Sequence, residues 1–197
     1  MEYVIAITGA SGSVYGVRLA EVLLKHGHRV ALLLSDPARL VLAHELGYHF
    51  DDEQVASAFA AKLGMHEVGD LLTYYRNDDL MAPVCSGSHR TAGMVIIPCS
   101  MATLGAVANG LSSTLIERTA DVMLKESRRL IVVPRETPLN RIHLKNLLAA
   151  EEAGARIVPA MPAFYHRPET VEDMVDFIVG KVLDQLEIEH ELFRRWE

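Results

Sequence analysis

The sequence predicts an α/β fold, a single doubly wound, Rossmann-like parallel sheet with helices on both faces. Three observations carry that prediction. Short runs rich in Val, Ile and Leu alternate along the chain with helix-periodic segments. The runs are apolar at consecutive positions, the pattern of strands covered on both faces. The first run passes into a helix through "ITGASGSVYG", residues 7–16, a glycine-rich turn. Right-handed crossovers between parallel strands then produce the doubly wound arrangement.

Strands are predicted at 3–8, 29–35, 94–98, 130–134 and 156–159, with a weaker candidate at 71–75. Between them the periodicity places helices at 13–25, 37–46, 55–63, 102–109, 115–126, 142–153 and 171–186. Asp36 is expected to cap the helix that Pro37 opens, since Asp accepts from first-turn N–H groups and Pro suits the first turn. Residues 78–91 read as a long loop of small and polar residues, which points to a functional loop. No Pro/Gly/Ser-rich linker or repeat divides the chain. Residues 1–197 are therefore expected to form a single domain, with a tail over about 187–197 docking on the body or on a neighbouring subunit.

Half of the residues are hydrophobic, 23% are charged, and the net charge is −7. This balance argues against a general nucleic-acid binder, whose footprint is basic. Cys85 and Cys99 lack CxxC spacing, which argues against a disulfide framework and for a reducing compartment. No apolar run is long enough for a bilayer and the N-terminus leads straight into a strand, so a cytoplasmic protein without a membrane partner is expected. No metal is expected either. "HELGYH" separates His44 and His49 by one residue too many for a zinc-protease helix, and Asp51-Asp52 and Asp78-Asp79 lack D-D-x-x-D spacing.

Ligands of a doubly wound sheet collect at the carboxyl ends of its strands. The residues that follow each strand are Gly9-Ala10-Ser11-Gly12, Ser35-Asp36, Cys99-Ser100-Met101, Arg135-Glu136 and Pro162-Ala163-Phe164-Tyr165. Glycines admit an anion close to the backbone, and the helix behind them offers free N–H groups, so a phosphate or carboxylate is expected near Ser11. The dinucleotide fingerprint G-x-G-x-x-G is absent, and Ser35 stands where NAD enzymes place an acid. A second polar helix entrance opens at "CSMATLGAVANG", with hydroxyls at Ser100 and Thr103. Two adjacent entrances suit a phosphate joined to a flat, hydrogen-bonding ring, as in FMN or another mononucleotide. Arg118 and Lys125, seven residues apart on one helix face, join Arg135, Glu136, Tyr165 and Lys181 as candidates for a second anion site. Taken singly, such basic residues are usually solvated.

The stretches "TGASGSVYG", "PCSMATLGAVANGLSSTLIERTADVMLKE", "VVPRETPL" and "PAMPAFYHRP" resemble the UbiX-type flavin prenyltransferases over nearly the whole chain. The resemblance implies a flavoprotein fold and a metal-independent transfer of the dimethylallyl group of dimethylallyl monophosphate to N5 and C6 of reduced FMN. The prenylated FMN would serve a UbiD-type decarboxylase, and the enzyme would be a homo-oligomer, commonly a dodecamer, with sites at subunit contacts. By motif, Gly9, Ala10, Ser11, Ser35, Ser100, Met101, Ala102, Thr103 and Arg135 would line the FMN. Arg118, Lys125, Arg135, Glu136, Tyr165 and Lys181 would surround the prenyl phosphate. Glu136, Ser11, Glu45 and Lys125 would act in catalysis. The expectation is one pocket in which cations ring a leaving phosphate while water is excluded. Leu80 stands where relatives often carry an aromatic residue, which removes an aromatic face from any cationic intermediate. Two rivals share the fold: an FMN-dependent decarboxylase of the phosphopantothenoylcysteine type and a non-catalytic flavin carrier. The first wants P-A-x-x-N-T where this chain has "PCSMATL"; the second needs none of Lys125, Arg135, Glu136 or Tyr165.

Overall fold

The computed structural model describes residues 1–51, 54–65 and 68–196; Asp52, named above, lies outside them. Six parallel strands form one sheet in the order β3-β2-β1-β4-β5-β6. They are β1 (Glu2–Ile7), β2 (Arg29–Leu34), β3 (Leu72–Arg76), β4 (Gly93–Cys99), β5 (Leu130–Pro134) and β6 (Arg156–Ile157). The helices are α1 (Ser13–Lys25), α2 (Asp36–Leu46), α3 (Val55–Lys62), α4 (Met101–Ala108), α5 (Leu115–Lys125), α6 (Arg141–Glu152) and α7 (Val171–Leu186). The order reverses between β1 and β4, and that switch point is where a doubly wound sheet opens a crevice at its carboxyl edge.

The period of two along each strand divides the core into two layers. Ile5, Ile7, Leu32, Leu34, Val95 and Ile97 pack against α1, α2, α3 and α7. Val4, Ala6, Leu33, Met94, Ile96 and Val132 pack against α4, α5 and α6. The weak strand candidate is the edge strand β3, which has one ladder partner and a partly exposed run, so its sequence carries less apolar signal. β6 is shorter than predicted. Val158 N–H still donates to Val132 O at 2.9 Å, but the ladder ends at Ile157.

Helix α1 lies unusually close to the sheet. A Cβ on Gly16 would stand 2.3 Å from Ile97 O, so this glycine serves helix–strand packing and leaves only Gly9 and Gly12 for the turn itself. The expected cap of α2 is corrected. Ser35, extended at φ −73° and ψ 156°, is the N-cap and accepts from Ala38 N–H, while Asp36 is already helical. At the other end of the chain, Phe193 sits over Gly180 of α7, and Leu192 and Phe193 pack onto the α1–α7 layer.

Candidate functional site

The carboxyl ends of β1 and β4 lie side by side and are tied by one buried side chain. Thr8 Oγ1 donates to Pro98 O at 2.8 Å and accepts from Ser100 N–H at 2.7 Å. Together with the backbone bond from Thr8 N–H to Pro98 O at 3.2 Å, that hydroxyl holds the glycine turn against the α4 entrance. Reading the sequence passes over Thr8; the available signal is a hydroxyl at the end of an otherwise apolar strand, next to glycine.

In the turn, Gly12 takes φ +99°, a left-handed conformation that residues with a Cβ resist. This aims the first N–H groups of α1 outward, as expected for an anion. The anion is supplied by the chain itself. Glu45, from the last turn of α2, accepts from Gly12 N–H at 3.1 Å, Ser13 N–H at 3.0 Å and Ser13 Oγ at 2.7 Å. Burial pushes the Glu45 carboxyl up, but hydrogen bonds from the Ser11 and Ser13 hydroxyls and the two backbone N–H groups outweigh it, and the net direction is down. Of the phosphate or carboxylate expected near Ser11, the structure shows a carboxylate from the chain itself, Glu45, facing that helix dipole.

The α4 entrance is arranged differently. Ser100 caps it, accepting from Thr103 N–H at 3.3 Å, and the Ser100 and Thr103 hydroxyls lie 3.0 Å apart. Met101 and Ala102 carry first-turn N–H groups, which have no intrahelical carbonyl to bind. Of the two entrances, α4 is the one with donors to offer a phosphate. Cys99 beside it is fully buried and its thiol is pushed up by desolvation, which makes it a packed residue and a poor nucleophile.

Arg135 closes the cluster from the end of β5. Its Nε donates to Ser11 O at 3.0 Å, so the β5 end is pinned to the glycine turn. Glu136 follows it, exposed, with Oε1 accepting from Thr137 N–H at 2.9 Å and from no other group among the described residues. Gly9, Ala10, Ser11, Glu45, Ser100–Thr103, Arg135 and Glu136 thus lie along one edge of the sheet. Ser35 lies on that edge too, its hydroxyl already engaged as the α2 cap.

The remaining candidates, Arg118, Lys125, Lys181 and Tyr165, each have local partners among the described residues rather than partners in the Ser11–Arg135 cluster. Arg118 pairs with Asp121 at 3.2 Å, and Lys125 with Glu126 at 2.6 Å. Both are on α5, which runs antiparallel to the strands, so its last residue, Lys125, reaches the opposite edge of the sheet, where β5 begins. Lys181 pairs with Asp184 at 3.2 Å on the outer part of α7. Tyr165 stacks edge-on with Phe177 and Trp196, beside the tail. Seven-residue spacing puts Arg118 and Lys125 on a common face, but about two helical turns, roughly 10 Å, separate them.

The flavoprotein family model matches residues 1–183 of this chain. A protein of Halalkalibacterium halodurans named flavin prenyltransferase UbiX is 50% identical over 194 residues, covering 98% of this chain and 92% of that one. Another of that name, from Methanocaldococcus jannaschii, is 44% identical, with 100% and 98% covered. A crystal structure of AnUbiX in complex with FMN and dimethylallyl pyrophosphate superposes with a TM-score of 0.88 at 40% identity, covering 100% of this chain and 97% of that one. A dodecameric FMN-dependent Ubix-like decarboxylase from Escherichia coli O157:H7 matches at 0.88 and 40%, with both chains fully covered. PPC decarboxylase, with 18% identity, a TM-score of 0.59 and 85% of each chain covered, shares the fold alone. With relatives of this similarity spanning almost its entire length, and with the glycine turn, the α4 entrance and Arg135-Glu136 gathered on one edge, the chain belongs to the flavoprotein family and, within it, to the UbiX-type flavin prenyltransferases.

Proposed function

We propose that this protein transfers the dimethylallyl group of a dimethylallyl phosphate to reduced FMN, producing prenylated FMN for a UbiD-type decarboxylase. The observation that carries the reading is the Ser11–Glu45–Arg135 cluster set beside an α4 entrance with free donors, in a chain of this family. The residues present fit FMN. The first turn of α4, with Ser100 and Thr103, suits the phosphate, and Gly9, Ala10 and Ser11 offer backbone to the ring edge. Arg135, held by Ser11 O, has its remaining guanidinium N–H groups for the same ligand.

Reduced FMN supplies the nucleophilic N5 and C6. The allylic C–O bond would break with its electron pair leaving on phosphate as a C–N5 bond forms and N5 gives up its proton; the allylic C=C bond would then be consumed, one carbon taking a proton and the other bonding to C6, whose own proton passes to the protein or the phosphate. Glu136 is the base of this reading, since its carboxylate has one local donor and stands beside Arg135. Ser11 orients and relays, fixed by Glu45 through its hydroxyl and by Arg135 through its carbonyl. The cations Arg118, Lys125 and Lys181, with Tyr165, hold the leaving phosphate, the role that metal ions play in other prenyl transfers.

Those cations act between copies. Lys125 and the glycine turn sit on opposite edges of one subunit, so a pocket that contains both is built from neighbours. The surface supports assembly: Ile142, Leu144 and Leu148 of α6, and Met161 and Phe164 after β6, are large apolar side chains left exposed. No helix among the described residues is long and apolar enough to cross a membrane. The deciding experiment mixes the protein anaerobically with reduced FMN and dimethylallyl monophosphate or diphosphate and follows the flavin by mass spectrometry. A flavin heavier by one prenyl unit, able to activate a UbiD-type apo-decarboxylase, is expected. An unchanged flavin with both donors overturns the reading.

A further inference from the structure

Asp184, in the last turn of α7, carries four hydrogen bonds on its two carboxylate oxygens. Oδ1 accepts from Arg195 Nη2 at 2.8 Å and from His190 Nε2 at 3.2 Å. Oδ2 accepts from Lys181 Nζ at 3.2 Å and from Arg195 Nη1 at 3.3 Å. The tautomer of His190 follows from its other nitrogen: Nδ1 accepts from Leu192 N–H at 3.3 Å, so Nε2 carries the proton that faces Asp184. Lys181 stands one turn earlier on the same helix, whereas His190 and Arg195 come from the tail. The tail lies this close because residue 180 is glycine; a Cβ there would stand 2.6 Å from the His190 ring and 2.5 Å from that of Phe193. The Arg195 guanidinium also lies over the Phe193 ring, 5.6 Å from its centroid.

The other acids of α7 are engaged or distant. Asp173 caps the helix, accepting from Glu169 and Thr170 N–H, Asp176 pairs with Arg18, and Glu172 lies in the first turn. Asp184 is therefore the acid that answers Lys181. Burial pushes its carboxyl up, but the bonds from Arg195, Lys181 and His190 outweigh it and hold the group below the ordinary carboxylate range. The partners differ in freedom. The His190 side chain is 1% exposed and that of Asp184 20%, against 44% for Lys181. Lys181 spends one of its three N–H donors here, on a flexible stem, while Arg195 grips both oxygens with a rigid fork.

Lys181 is assigned above to the leaving phosphate, and Tyr165, assigned with it, packs edge-on against Trp196, the neighbour of Arg195. An ammonium paired with a carboxylate reaches a phosphate only by giving up that partner, and a largely buried carboxylate stripped of its partner is costly. Asp184 is not stripped. When Lys181 leaves, Arg195 still serves both oxygens and His190 still serves Oδ1. Resting on the proposed function, we infer that Asp184 is a positioning residue that holds Lys181 ready for the donor, and that Arg195 sets donor affinity by keeping Asp184 paired when Lys181 turns to the phosphate. Neither Asp184 nor Arg195 touches the donor in this arrangement. Without Arg195, Lys181 is the sole donor to Oδ2 among the described residues, and the ammonium is retained.

The test is calorimetric titration of the full-length protein, loaded with oxidised FMN so that no transfer follows binding, with dimethylallyl monophosphate and with inorganic phosphate. It is run on the parent, Arg195→Ala, Arg195→Lys, Asp184→Asn and the double variant Asp184→Asn/Arg195→Ala. Arg195→Ala is expected to weaken both ligands about tenfold, the scale of one charge-assisted hydrogen bond, and Arg195→Lys to recover part of the loss. Asp184→Asn is expected to bind both at least as tightly as the parent, because the competing carboxylate is gone. In that background Arg195→Ala should change affinity by less than about threefold, the non-additivity that marks action through Asp184. With reduced FMN, Arg195→Ala should raise the donor KM by its binding loss and leave kcat within about twofold of the parent. Unchanged affinity in Arg195→Ala overturns the inference. So does an equal loss in the Asp184→Asn background, which would put Arg195 on the donor itself, and so does a loss of FMN affinity or a change of oligomer size in Arg195→Ala that accounts for the weaker binding. The expected binding pattern with no prenylated flavin after reduction would support the inference and defeat the proposed function; prenyl transfer with donor affinity indifferent to Arg195 would do the reverse.

Discussion

Replacing Glu45 by Gln keeps the side chain's length and removes the charge that faces the first N–H groups of α1. One amide oxygen then stands where an ionised carboxylate accepted from Gly12, Ser13 and Ser11. Charge-assisted hydrogen bonds exceed neutral ones, and the site is partly exposed, so a loss of about 1 kcal/mol in a denaturation midpoint is expected for Glu45→Gln. The carboxyl is held below its ordinary range in the folded state. Its contribution is therefore complete above the unfolded pKa and disappears as pH falls through the folded one. The stability gap between the parent and Glu45→Gln is expected to be constant near neutrality and to close as pH drops well below about 4.3, the ordinary Glu pKa. A gap that grows on acidification would contradict this. Two further substitutions separate binding from chemistry. Glu136→Gln is expected to keep FMN and slow prenyl transfer by about 100-fold or more. Arg135→Ala, which also unties Ser11 O, is expected to weaken FMN binding in a fluorescence titration.

Between elements, the decisive joint is Thr8. Thr8→Val conserves shape but removes the hydroxyl bound to Pro98 O and to Ser100 N–H; Pro98 O still accepts from Thr8 N–H at 3.2 Å, while the part-buried Ser100 N–H loses its acceptor. A cost of about 1–3 kcal/mol is expected. FMN affinity should fall with it, because the α4 entrance is no longer held against the glycine turn. Thermal unfolding and FMN titration of one sample would show both. Gly16→Ala probes the neighbouring contact: its methyl meets Ile97 O, so α1 must move from β4 or the strand must yield. Destabilisation by about 1–3 kcal/mol is expected, the usual result of overpacking. These joints explain how much of the element plan was readable. Two-sided apolar runs and capping residues mark strands and helices locally, so β1, β2, β4, β5 and all seven helices lie within a residue or two of their predicted places. β6 ends early because its later residues meet the ladder through isolated bonds.

At the scale of the whole molecule, the candidate site is split between the two edges of the sheet, and that division is itself testable. If neighbouring copies complete each pocket, co-assembled Lys125→Ala and Glu136→Gln subunits regain prenyl transfer, because some pockets draw both native residues from different chains. Each variant alone remains slow. An absence of recovery in verified mixed oligomers would place both residues in one subunit's pocket and refute the shared site.

By itself the sequence determined the doubly wound sheet, the glycine turn, the hydroxyl-capped α4 entrance and the family, because each rests on residues close together in the chain. Local periodicity, capping chemistry and motif spacing are properties of neighbours. The tertiary structure decided which entrance keeps its donors and which is filled by Glu45, a residue 33 positions from Gly12. It also decided that Thr8 binds the two entrances together, and that Arg118, Lys125 and Lys181 rest on local acids away from the turn. The reason is physical. A hydrogen bond or ion pair between distant segments depends on the angle and depth at which helices pack on the sheet, and no local pattern encodes those.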